Sequence, residues 1–108
     1  MPDPIGQLEQ HVMLAIMRKQ PAAYGVAIQQ ELLERTGRKH SVGAIYATLD
    51  KLQKNGHVVP RQGEATAERG GRRKMYFNLT AKGQSALQAS LNAIESLRRG
   101  IRLQGAMR

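Results

Sequence analysis

The chain has 108 residues, 41% of them hydrophobic and 4% aromatic, with a mean hydropathy of -0.47, which leaves room for one thin core and excludes a second, catalytic domain. It contains no cysteine, so disulfide frames and thiolate metal centres are excluded. Its formal charge of +9 is unevenly placed: residues 1–57 carry seven Lys/Arg against five Asp/Glu and residues 58–108 carry ten against three, so an anionic partner should meet the second half.

In chain order, Ile5 to about Lys19 predicts a first helix, with Ile5, Leu8, Val12, Ala15, Ile16 and Lys19 stepping by three and four. Pro21 stops it. A second helix is predicted from about Tyr24 to Thr36, burying Tyr24, Ile28 and Leu32 and ending on Gly37 as a left-handed cap. Gly25 costs helical stability near its start, which points to a close helix crossing there. Only "GRKH" separates it from the third helix, a connection short enough for a helix-turn-helix.

The third helix, "SVGAIYATLDKLQKNG", takes Ser41 as N-cap and ends at Asn55-Gly56. Val42, Ile45, Leu49 and Leu52 form its apolar stripe. From His57 the pattern turns extended: "HVVPRQ" and "RKMYFNLT" read as a hairpin with Pro60 on an edge strand, joined by the long tip "GEATAERGGR". Thr80 caps a last helix running to about Arg99. Leu87, Leu91, Ile94 and Ile101, supplemented by Leu97, make a short heptad seam. That seam suits either the chain's own domain or a second subunit, and the thin core favours the subunit.

The order helix, helix, short turn, helix, hairpin, helix is that of a winged helix-turn-helix: mainly α with a small β-hairpin, followed by a C-terminal dimerisation helix. The expected division is a DNA-binding domain over residues 1–80 and a dimerisation helix with frayed tail over 81–108. A helix entering the DNA major groove must be bare on its outer face so that it can approach base edges. Gly43, Ala44 and Ala47 allow that approach, Ser41 and Thr48 can donate to phosphate or base, Tyr46 can offer its hydroxyl to the backbone, and Lys51 can reach a flanking phosphate. Each has a plainer reading: Ser41 as a cap alone, Tyr46 as a half-buried packing residue, Gly43 and Ala44 as neutral surface.

On the hairpin, Arg69, Arg72, Arg73 and Lys74 cluster beside Gly70 and Gly71, a composition that can follow phosphates or enter the minor groove, or else form a solvated loop. Catalysis finds no support. His11, His40 and His57 lack metal-ligand spacing, Glu31 and Asp50 have no obvious catalytic pairing, and "ERGGRR" lacks the spacing of a phosphate-binding loop. No metal, no cofactor and no enzymatic activity is expected. No apolar run reaches the roughly 20 residues of a membrane span, and "MPDPIGQLEQ" is unlike a secretory leader, so a cytoplasmic protein without membrane contact is expected.

The stretch from about Leu8 to Gly83 resembles the PadR family of bacterial transcriptional regulators. The matching features are Tyr24-Gly25 opening helix two, Ser41, Gly43, Tyr46 and Leu49 in helix three, Leu52 and Gly56 closing it, and Tyr76, Leu79, Thr80 and Gly83 joining the last strand to the last helix. The wing resembles a subgroup carrying Gly-Glu and Glu-Arg-Gly-Gly at this place. The chain departs from the pattern at Ala47, His57, Ala65 and Ala67. The resemblance implies a homodimeric repressor of a roughly palindromic operator in double-stranded DNA, contacting it through Ser41, Gly43, Tyr46 and the wing arginines. It also implies a response to a small aromatic or drug-like effector, and a short form lacking a separate C-terminal domain. The competing expectations are a winged-helix module that binds proteins and a sequence-independent DNA-packaging protein.

Overall fold

The computed structural model describes residues 5–63 and 74–103. Four helices and a two-stranded hairpin follow one another as α1 (Gln7–Lys19), α2 (Gly25–Thr36), α3 (Val42–Lys54), β1 (Val58–Gln62), β2 (Met75–Leu79) and α4 (Ala81–Arg98). This is the expected winged-helix order.

Local chemistry sets the helix ends. The Gly6 N–H donates to Glu9 Oε1 at 2.8 Å, and Arg18 and Lys19 occupy the last turn of α1, both favourable to the helix dipole. Gly37 closes α2 in the left-handed region, its N–H donating to the Leu33 carbonyl at 2.9 Å. Ser41 Oγ accepts the Ala44 N–H at 3.0 Å at the start of α3. Thr80 Oγ1 accepts the Gly83 N–H at 2.9 Å and donates to the Gly56 carbonyl at 2.7 Å, so one side chain caps α4 and ties it to the end of α3. Gly83 presses on the His57 carbonyl so closely that any β-carbon there would overlap it.

The strands pair antiparallel from Val58 opposite Leu79 to Gln62 opposite Met75. On its other side β2 receives the segment before α2: the Phe77 N–H donates to the Ala23 carbonyl at 2.9 Å, and Tyr24 bridges to Tyr76. β2 is thus central and β1 is the outer strand, where Pro60 is tolerated.

The core joins Met13 and Ile16 of α1, Ile28 and Leu32 of α2, Ile45, Leu49 and Leu52 of α3, and Val58 and Phe77 of the hairpin. Each such side chain contributes about 1.5–3 kcal/mol on burial. Three expectations are corrected here. Val42, the first residue of α3, is exposed and lies outside the buried stripe; Tyr24 is only half-buried, being the N-cap of α2 at the sheet edge. Leu87, expected on the subunit seam, is 3% exposed and belongs to the chain's own core, since Thr80 and Gly83 draw the start of α4 onto the domain. Leu91 is half-buried against the same core, whereas Ile94, Leu97 and Ile101 are exposed.

Candidate nucleic-acid interface

α3 divides into two faces. Ile45, Leu49 and Leu52 are buried, while Ser41, Gly43, Tyr46, Ala47 and Lys51 are exposed and Ala44 and Thr48 half-buried. The outer face of the first two turns therefore carries little bulk apart from one phenol. The Ser41 hydroxyl is engaged as a cap, leaving its own hydrogen free to donate. The Thr48 hydroxyl donates to the Ala44 carbonyl at 2.9 Å, so it can offer lone pairs to a partner and not the donor expected of it. Lys51 Nζ lies 3.7 Å from Glu9 Oε1, a pairing that links α3 to the start of α1 while the side chain stays largely in solvent.

Tyr46 is 42% exposed and its ring packs over Gly25 at the first turn of α2. A β-carbon at Gly25 would come within 2.5 Å of Cε2. The close crossing expected at Gly25 is this contact, and it joins the starts of α2 and α3 into one surface.

The hairpin reaches that surface through a layer of aromatic rings and cations. The Tyr24 and Tyr76 rings meet edge to face, with centroids 5.9 Å apart and planes at 82°. Lys74 Nζ stands 4.2 Å from the Tyr24 centroid, and the Arg61 guanidinium 4.9 Å from that of Tyr76. Arg61 also donates to the Pro21 carbonyl at 3.1 Å. Arg61 and Tyr76 are register partners, opposite each other on the strand face turned away from Phe77. Sequence reasoning selected Lys74 and passed over Tyr24, Tyr76 and Arg61, which the structure groups with it. Strand alternation separates Tyr76 from Phe77, but the register that seats Arg61 on Tyr76 depends on how the long loop between the strands closes. Arg69, Arg72 and Arg73 lie outside the described residues.

A second polar cluster sits between α1 and α2. Glu31, 8% exposed, accepts hydrogen bonds from Arg35 and Arg18 at 2.9 Å each. The Arg35 hydrogen bond first, with Arg18 adding to it, holds the Glu31 carboxyl below its ordinary value despite the opposing effect of desolvation. These residues border a groove of about 460 Å³ whose apolar lining includes Leu14, Met17 and Leu32. Among the described residues no three His, Asp or Glu side chains gather as a metal centre, and no helix is long and apolar enough to cross a membrane.

The family model described as "Transcriptional regulator PadR-like family" matches residues 13–89. Among solved structures, a PadR family transcription regulator from Clostridium difficile R20291 is 19% identical with a TM-score of 0.72, covering 87% of this chain and 93% of its own. A PadR-like transcription factor from Bacteroides fragilis is 28% identical with a TM-score of 0.73, over 86% of this chain and 84% of its own. A Streptococcus transcriptional regulator is 26% identical with a TM-score of 0.68, over 85% of each chain. A comparison with the curated proteins finds no match.

Proposed function

The chain belongs to the PadR-like family of transcriptional regulators, and on that premise we propose that it is a homodimeric repressor that binds a palindromic operator in double-stranded DNA. The observation that carries this reading is the two-faced α3: a buried inner stripe, and an outer face kept bare by Gly43, Ala44 and Ala47. In this proposal those three residues let the helix approach the major groove, and Ser41, Tyr46, Thr48 and Lys51 make polar and phosphate contacts from it. Lys74, with Arg69, Arg72 and Arg73 of the hairpin loop, neutralises adjacent phosphates. The uneven charge supports that division, since the second half of the chain holds most of the positive excess.

The dimer contact is proposed for the distal half of α4, where Ile94, Leu97 and Ile101 are exposed, with Leu91 at its inner margin. Exposed apolar side chains recurring along one helix make the kind of contiguous patch that a partner covers. In this reading the two copies of α3 enter successive major grooves about one helical turn, roughly 34 Å, apart. A small aromatic or drug-like effector relieves repression in this reading, and the groove between α1 and α2 has room for such a molecule. The site of action is the cytoplasm.

The test is selection of genomic fragments by the purified protein, followed by competition with unrelated duplex. Enrichment of a palindrome retained against competitor is the expected result. Binding indifferent to sequence would point to packaging, and no binding would favour the protein-interaction module.

A further inference from the structure

Lys74 is the one described member of the basic wing cluster, and its position is unusual for an exposed lysine. A lysine at a loop end ordinarily samples many rotamers in solvent. Here the ammonium stands over the Tyr24 face at 4.2 Å, and Tyr24 is itself fixed from three sides. Its backbone is the N-cap of α2 and bridges to Tyr76; its ring meets the Tyr76 ring edge to face; and the next residue, Gly25, lies under Tyr46 of α3. Tyr76 is held in turn by Arg61 over its ring and by Gly63, whose missing side chain leaves the space the ring fills. Arg61 is anchored to the Pro21 carbonyl, and the Gly63 N–H donates to the Lys74 carbonyl at 2.7 Å, closing the strand pair below the loop.

We infer that Tyr24 and Tyr76 are positioning residues for DNA binding: their crossed rings form a platform that holds the Lys74 ammonium at the start of α2 as a phosphate contact, with Arg61 as the clamp that keeps Tyr76 in place. This deepens the DNA-binding proposal and rests on it. A cation over an aromatic face keeps its charge, and the ammonium's N–H donors turned away from the ring stay available, so Lys74 can be held by Tyr24 and still meet a phosphate. The arrangement also explains two tyrosines on a sheet face that the core does not use. Without the rings the same lysine would have to be immobilised by DNA itself, at a cost in side-chain entropy on binding.

The experiment measures binding of the full chain to a short duplex of mixed sequence between about 50 and 200 mM salt, the range over which phosphate contacts dominate. Lys74→Ala is expected to lower the slope of log affinity against log salt by about 0.9, the change that follows when one phosphate is no longer neutralised. Tyr24→Leu leaves the lysine charge in place, so its slope should stay near wild type while affinity at each salt concentration falls about two- to tenfold, the entropic cost of immobilising one side chain. Tyr24→Phe should keep wild-type affinity because the ring is kept, and adding Tyr24→Leu to Lys74→Ala should weaken binding no further. A Tyr24→Leu affinity equal to wild type beside a lowered Lys74→Ala slope overturns the positioning role. An unchanged Lys74→Ala slope overturns the phosphate contact. Failure of the wild-type chain to bind with any salt dependence removes the DNA-binding proposal beneath both. If Tyr24→Leu does not fold, the free wild-type protein still decides: the Lys74 side-chain protons should show ring-current shifts that Tyr24→Phe keeps, and their absence overturns the platform.

Discussion

The hydroxyl end of the Tyr46 ring lies over Gly25, so close that a β-carbon at position 25 would stand 2.5 Å from Cε2 and 2.6 Å from the phenolic oxygen. The contact joins the proposed recognition helix to the start of α2, and it separates what Tyr46 does for stability from what it does for DNA. Gly25→Ala should swing the ring aside, because the end of a side chain moves more easily than two packed helices. Helix propensity favours alanine by roughly 0.5–1 kcal/mol, so the thermal midpoint should stay or rise slightly while DNA affinity falls. A large loss of stability would mean that the ring cannot move and that the helices part instead.

Tyr46→Phe keeps the packing on Gly25 and removes only the hydroxyl. DNA affinity should fall by a hydrogen bond's worth, about 0.5–1.5 kcal/mol, with the thermal midpoint barely changed. Unfolding and binding titrations on the same preparation decide it; lowered stability with intact affinity would leave Tyr46 as a packing residue only.

Arg72→Ala combined with Arg73→Ala should weaken binding to every duplex alike and reduce the salt slope by about 0.9 for each phosphate left without its arginine. A slope identical to wild type would return these arginines to the solvated-loop reading.

Leu87 and Leu97 share one helix and should behave oppositely. Leu87→Ala opens a cavity in the core and should cost about 2–5 kcal/mol of stability. Leu97, 79% exposed, packs on little of its own chain. Leu97→Ala should weaken self-association by light scattering and leave the midpoint of the dilute protein in place. A wild-type chain that is monomeric at micromolar concentration would remove the α4 interface from the proposed function.

Glu31 makes stability depend on acid. Its hydrogen bonds from Arg35 and Arg18 lower the folded-state pKa below the ordinary value near 4.5, so unfolding takes up a proton in this range. The stabilisation is present above the unfolded value and is lost as pH falls through the folded one. The thermal midpoint of the wild type should therefore drop as pH falls through and below the ordinary glutamate range, and Glu31→Gln should flatten that part of the curve. Equal pH dependence in both proteins would show that other carboxylates set it.

Helix boundaries were legible in the sequence wherever a cap is a local event. Ser41, Gly37 and Thr80 each act within three or four residues of themselves, and spacing along the chain is enough to find such partners. The seam on α4 was legible only as a stripe. A three-and-four repeat states which side of a helix is apolar, and the same stripe serves Leu87 in the core and Leu97 in solvent. The platform of Tyr24, Tyr76, Arg61 and Lys74 left no such trace, because its members come from three separate segments and meet through strand register.

What the sequence determined by itself was the order of elements, the caps, the bare face of α3 and the excess of positive charge in the second half, all consequences of local spacing and composition. The tertiary structure alone decided that α4 gives its first half to the domain core, that Gly25 is the seat of Tyr46, and that Lys74 stands on the ring of Tyr24, the N-cap of α2. Those outcomes depend on which surfaces meet once the helices pack, and packing selects among faces that periodicity leaves equivalent.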